Sequence, residues 1–230
     1  MNQGQDEESV RRVNSPRAAA VAGILFAILY ITAQVLIRLS VPQSASDQGA
    51  WLANQSHVIV LALSLVPFAG IAFLWFIGVV RDRFGKHEDQ LFATVFLGSG
   101  LLYLGLVFIA AALAGGLLAS YAANPQLQSD PIVTYSRLVM SQITNIYSLR
   151  MAGVFMTSLA TLWMRTRVMP RWVSILTYLL ALLMLLSINL SVWLTLLFPV
   201  WVFAISLMIL IENYRGRTRS SANLPEVEKI

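Results

Sequence analysis

The chain has 230 residues, 57% of them hydrophobic and 12% charged, about half the charged fraction of an ordinary soluble domain, and its mean hydropathy is +0.70. That composition points away from a water-soluble domain and towards an all-α, polytopic bundle of transmembrane helices. A net charge of +5 could suit a polyanion, but the basic residues fall between apolar runs rather than on one face, so no nucleic-acid partner is expected. With no cysteine in the sequence, disulfides, thiol nucleophiles, iron–sulfur ligation and CxxCH haem attachment are all excluded.

Residues 1–17 are polar and lack an apolar period; they read as a disordered cytoplasmic tail. Residues 18–37 form a first apolar run of crossing length. Basic residues before it and Ser44-Ala45-Ser46 after it also fit a cleavable signal peptide. The run is longer than the roughly 7–15 apolar residues of such a signal, which favours an uncleaved span. An outer connection with Pro42, Asp47 and Trp51 leads to a second span at 58–80, which Pro67 is expected to kink. A short mixed-charge turn runs from Arg81 to Asp89.

Residues 91–119 are apolar for longer than a bilayer requires, so this third helix should tilt, protrude or end near Gly115-Gly116. Ala111 with Gly115, Ala112 with Gly116, and Gly116 with Ser120 are small residues four apart. They would let another helix approach closely, within the chain, from a second copy or from another membrane protein.

After an outer loop at 124–130, Asp130-Pro131 carries helix-start chemistry: a carboxylate at the N-cap and proline at the first helical position. Ile132, Tyr135, Val139, Ile143 and Ile146 then recur at three or four residues, with Ser136, Arg137, Ser141 and Asn145 between them. This amphipathic helix, 131–147, either lies on the outer surface or runs straight into a fourth span ending at Met164. Arg150 lies inside that span. Fourteen residues separate it from Met164, roughly 21 Å of helix in a hydrocarbon layer about 30 Å thick, so it either snorkels outwards or needs a partner. The uncharged run 172–211 is long enough for two spans, with Asn189 and Ser191 as turn candidates and Pro199 expected to bend the last helix.

The count is six spans in one domain, 18–213, between polar tails 1–17 and 214–230. Thirteen of the sixteen basic residues fall on the tails and even-numbered loops, and only Arg38, Arg137 and Arg150 fall on the other side. By the positive-inside rule both termini are cytoplasmic.

Enzymatic chemistry is hard to assemble. His57 and His87, the only imidazoles, fall on opposite faces of the predicted membrane. His87-Glu88 starts like HExxH but has Leu91 where the second histidine belongs. Gly98-Ser99-Gly100 is not GxSxG, and close helix packing is its better reading. No Asp or Glu falls within a span, and no phosphate-binding glycine loop exists, so no cofactor or metal is expected. What remains is an outer polar cluster. Tyr30, Gln34 and Arg38 share one face of the first helix, Arg150 is expected at a similar level, and Asp47, Asp130 and Arg137 lie in the adjoining outer segments. Together these residues form either a structural salt-bridge cluster or an extracytoplasmic ligand site, in which Asp47 or Asp130 pairs with Arg150 until an anion displaces it.

The stretch Phe73-Leu74-Trp75-Phe76-Ile77-Gly78-Val79-Val80-Arg81-Asp82-Arg83, with Glu88-Asp89 and Phe92-Ala93-Thr94-Val95-Phe96-Leu97-Gly98-Ser99-Gly100, resembles segments of uncharacterised bacterial multi-pass membrane proteins. The resemblance covers the second and third spans and implies a bacterial origin, with no activity and no functional residue to carry over. The expected function is a non-enzymatic binding, accessory or assembly component of the bacterial cytoplasmic membrane. A small-solute transporter with a site around Arg150 is the alternative, and a membrane enzyme the third.

Overall fold

The computed structural model describes residues 3–41, 50–82, 90–129, 131–167, 169–186 and 192–222. Within them the protein is helical throughout, with no strand: α1 (Gln3–Ser40), α2 (Ala50–Asp82), α3 (Gln90–Ala123), α4 (Pro131–Gln142), α5 (Leu149–Thr166), α6 (Arg171–Leu186) and α7 (Leu197–Ala222). Short 3-10 turns, Pro125–Ser129 and Val192–Leu196, precede α4 and α7, and a π-helical segment, Ile143–Ser148, joins α4 to α5. The connections containing Asp47, His87, Asp130, Asn189 and Ser191, and residues 223–230, lie outside the described residues.

Four helices are long and apolar enough to cross a membrane: Ala18–Ser40, Asn54–Arg81, Leu91–Ala123 and Trp193–Ile211. The third has 33 residues, about 50 Å of helix, and does not end at Gly115-Gly116. Apolar composition marks where these helices meet lipid and does not mark where their backbones stop. Thus α1 continues amino-terminally to Gln3, through the polar tail expected to be disordered, and α7 continues to Ala222. Glu7 with Arg11 and Glu8 with Arg12 are spaced four apart, the acid-before-base order that favours helix.

Two prolines behave differently from each other. The α2 helix continues through Pro67, whose side chain is exposed. Pro199, expected to bend the last span, instead falls in the first turn of α7, just after the 3-10 turn; there its missing N–H costs little.

The bundle is knit by α1 against α2 and α7, α3 against α2 and α5, and α5 against α6. Phe73 of α2 is the hub of its core. Its ring lies 4.7 Å from Phe26 of α1, 5.6 Å from Tyr103 of α3, 5.6 Å from Phe155 of α5 and 5.7 Å from Phe198 of α7. The sixth helix joins through a hydrogen bond from Trp201 Nε1 to Thr177 Oγ1, 3.1 Å.

Close approach is secured by glycines other than those picked out in α3. A Cβ on Gly23 would collide with Ser206 of α7 and Phe76 of α2, and one on Gly153 would press on Leu185 and the Ala181 carbonyl of α6. At Gly115 and Gly116 it would meet nothing within 4 Å, so among the described residues these two glycines do not serve helix packing, whereas Ala111 packs on the main core. In the Gly98-Ser99-Gly100 triplet, Gly100 sits against Ile77 and Phe155 while Gly98 is open, and Ser99 donates to the Val95 carbonyl at 2.7 Å.

The outside of the bundle is apolar. Leu25 and Ile28 on α1, Phe68 and Trp75 on α2, Leu102 and Ile109 on α3, Leu179 and Leu182 on α6, and Val200 on α7 are all exposed, a surface that water would not tolerate and lipid does. By contrast α5 is the most enclosed helix. Ten of its residues are buried, and its hydroxyls turn inward to its own backbone, as in Thr157 to Gly153 O and Ser158 to Val154 O, both 2.9 Å.

Candidate functional site

The hydrophobic interior is split in two. A main cluster includes Tyr30, Val66 and Val107, and a small second one unites Ile59 of α2, Leu117 and Leu118 of α3 and Val133 of α4. Between them lies a partly open cavity of about 340 Å³, with Tyr30, Val66 and Val107 at one end and Ile59, Leu117 and Leu118 at the other. Protein interiors normally leave no such gap. Here the facing positions are Ala33 on α1 and Ala110, Ala111 and Ala114 on α3, side chains too short to meet across it. The alanine-rich run of α3 therefore keeps a space open rather than closing a helix contact.

The wall is chemically sorted. Its α2 and α3 contributions are aliphatic, whereas α1 supplies Tyr30, Gln34 and Arg38, and the α4 and π segments supply Thr134, Arg137, Ser141, Thr144 and Asn145. The expected four-residue stripe on α1 is thus present and faces the cavity. Gln34 Nε2 donates to Tyr30 Oη at 2.7 Å, and Tyr30 is also hydrogen-bonded to Tyr103. Both Tyr30 and Gln34 are buried, so this polar string is rigid and internally satisfied.

Arg38 is held differently. Its Nη2 donates to Thr195 Oγ1 at 2.6 Å, and its guanidinium carbon stands 5.7 Å from the centre of the Trp193 ring. Both partners are neutral, and among the described residues the buried Nε has no hydrogen-bond partner. A partly buried guanidinium is costly without a counter-charge, yet this one is anchored by a hydroxyl and a ring from the 3-10 turn before α7.

Sequence reasoning missed those anchors. Thr195 and Trp193 sit in a run without charge, and Thr195 is 157 positions from Arg38. Only their place just after the turn candidates Asn189 and Ser191, midway along that run, could have drawn attention to them.

On α4 polar and apolar residues share the cavity wall, Thr134, Arg137 and Ser141 with Leu138 and Met140, while Val133 is buried and Ile132 and Tyr135 are exposed. The helical backbone runs unbroken from Pro131 to Thr166. The π segment adds its extra residue beside the cavity, where Asn145 Nδ2 donates to Ser141 Oγ at 2.9 Å. Asn145 Oδ1 is buried and, among the described residues, without a partner. Turns of π geometry inside α-helices frequently mark functional positions.

Of the expected cluster, then, Tyr30, Gln34, Arg38 and Arg137 meet at one cavity. Arg150 is not among its lining residues. It is partly buried, about one turn before Gly153, which packs against Ala181 and Leu185 of α6. Asp47 and Asp130, its expected partners, lie outside the described residues. His57 is exposed on α2 and takes no part.

The described lining residues include two arginines and no carboxylate, imidazole or thiol, and among the described residues no three potential metal ligands gather. Such a wall can bind and orient a molecule, and it offers donors far more readily than a proton-transfer pair. No protein-family model, curated protein or solved structure matches the chain.

Proposed function

We propose that the chain is a multi-pass protein of the bacterial cytoplasmic membrane with six spans and both termini cytoplasmic, and that it acts as a non-enzymatic binding component whose ligand site is the α1–α4 cavity. The six-span count adds α5 and α6 to the four long apolar helices. Its support is that α6 presents an apolar face, Ile175, Leu179 and Leu182, while α5 is shielded by its neighbours and has less need of apolar composition. Orientation rests on the thirteen-to-three distribution of basic residues.

The observation that carries the binding role is the alanine-framed cavity between two separate hydrophobic clusters. Its volume lies at the lower end of small-molecule pockets, about 300–1,000 Å³. The test is native mass spectrometry of the protein purified in a mild neutral detergent, beside an Ala114→Trp variant that fills the cavity. The wild type should carry a small molecule that the variant has lost while keeping its helical content and melting behaviour. An identical set of bound molecules in both would overturn the reading.

A second reading, a small-solute transporter, draws on one feature: the π segment at the cavity wall lies in the backbone joining α4 to α5, where a change of pitch would swing α4. Counterflow of the molecule identified by mass spectrometry, in proteoliposomes, separates it from a static binding role. Self-association is proposed through Ala112, Gly116 and Ser120, which lie on the exposed side of α3.

A further inference from the structure

We infer that the cavity's ligand is an anionic amphiphile, a hydrocarbon chain ending in a carboxylate or phosphate, seated with its head group at Arg38 and its chain against α2 and α3. The inference rests on the binding role proposed above and adds the chemistry of what is bound.

Three observations lead to it. First, Arg38 brings a positive charge to the wall, and the described lining residues include no acidic side chain. Among the described residues its guanidinium has a hydroxyl and an indole ring for partners and no carboxylate, so within them it is a fixed, partly buried cation without an anion. Secondly, the opposite wall is made of Ile59, Leu63, Val66, Val107 and Leu118, which gives a small hydrophilic anion nothing to bury and gives a hydrocarbon chain its natural surroundings. Thirdly, the geometry suits a chain. From Tyr30 to Arg38 the cavity follows two turns of α1, about 12 Å, which is well under the roughly 30 Å thickness of the hydrocarbon layer. The head group and the first part of a chain fit inside, and the remainder leaves through the open side.

Competing ligand classes fare worse against the same wall. A cationic or quaternary-ammonium ligand would face Arg38 with no carboxylate among the described lining residues to offset it. A neutral hydrocarbon or isoprenoid would leave the Arg38 charge uncompensated. The amphiphile could be a free fatty acid or a membrane phospholipid, and the head-group chemistry is common to both.

The experiment uses the full chain in a neutral maltoside detergent, with a fluorescent anthroyloxy-palmitate as probe. Its competitors are palmitate, methyl palmitate, phosphatidylglycerol and phosphatidylcholine. Palmitate should displace the probe at a concentration about tenfold or more below that of methyl palmitate, the difference expected when one charge-assisted hydrogen bond is lost. Arg38→Gln should bring the two competitors together. Phosphatidylglycerol outcompeting both palmitate and phosphatidylcholine would identify a diacyl lipid as the source, and palmitate outcompeting both lipids would identify the free acid. Each result supports the inference.

Equal displacement by palmitate and its methyl ester in the wild type would overturn it, and that measurement requires no variant to fold. So would an undiminished acid-to-ester ratio in Arg38→Gln. If Ala114→Trp still abolished probe binding in those cases, the cavity would remain a binding site for a ligand not selected by charge. If Ala114→Trp left probe binding untouched, the proposed binding role of the cavity would fall as well.

Discussion

Arg38 and Arg150, both partly buried, illustrate how differently one residue type can be accommodated. Arg38 is tied down by side chains from another helix. Arg150 has no carboxylate partner among the described residues, and its long side chain lets the charge reach out of an apolar layer. Arg150→Leu should therefore lower stability by no more than about 1 kcal/mol, the range of a weakly held charge, and leave the acid-to-ester ratio at the cavity unchanged. Thermal unfolding in detergent and the competition assay read both quantities, and a loss of several kcal/mol would show that Arg150 holds a buried ion pair instead. Trp201 makes the opposite case, because its indole N–H is spent on Thr177 inside the core. Hydrogen bonds between membrane helices average about 0.6 kcal/mol and reach about 1.7. Trp201→Phe adds the lost packing of a ring that lies 6.0 Å from both Trp163 and Phe198, so it should cost more than Thr177→Val in the same unfolding assay. Equal costs would mean that the hydrogen bond, rather than the ring, sets the stability at this site.

At the scale of whole elements, the π segment contains one residue more than an α-helix of the same length would need, taken up in a wider turn. Deleting Ile143 should remove that extra residue and restore α geometry; because the wider turn has already absorbed it, α4 keeps its facing relative to α5 and its ten buried residues, with Arg137 still at the cavity wall. The expected result is retained probe binding with helical content and melting temperature little changed; lost binding would show that the wide turn itself shapes the site. Nothing in the sequence at 143–148 marks this segment, because Ile-Thr-Asn-Ile-Tyr-Ser carries no proline or glycine. Other parts were legible. The long apolar runs gave away α1, α2 and α3, Asp130-Pro131 gave the start of α4, and the spacing of Tyr30, Gln34 and Arg38 gave the polar stripe of the site. The polar face of α4 was also visible, but periodicity says only that two faces differ. It does not say which residues line the cavity, where Thr134, Arg137 and Ser141 share the wall with Leu138 and Met140. The anchors Thr195 and Trp193 and the space left by Ala110, Ala111 and Ala114 arise between helices distant in sequence, where no local pattern reports them.

For the molecule as a whole, the contacts sort the helix ends into two sets before any membrane is considered. Val41 packs on the cluster of Ile59, Leu117, Leu118 and Val133, so the end of α1, the start of α2, the end of α3 and the start of α4 share one end of the bundle. Phe92, at the start of α3, lies 4.7 Å from the Arg165 guanidinium carbon, which puts the end of α5 at the other. Arg81 closes α2 there, and Arg165, Arg167 and Arg171 surround the α5–α6 connection, so the basic residues concentrate at that end. If it faces the cytoplasm, as the positive-inside rule requires, single cysteines introduced at Asn54 and Gln126 should react with a membrane-impermeant maleimide on intact cells. One at Lys86 should react only after permeabilisation. The cysteine-free sequence makes each label unambiguous, and Asn54 and Gln126 are exposed. The three positions test two separate things. Asn54 and Gln126 must agree with each other because the contacts within the bundle place them at one end, so a disagreement between them would refute the packing of α2 against α3. Lys86 must differ from both because of charge alone, so labelling at position 86 with protection at 54 and 126 would invert the orientation. That result would move the Arg38 cavity to the cytoplasmic half of the bilayer while leaving every helix contact intact.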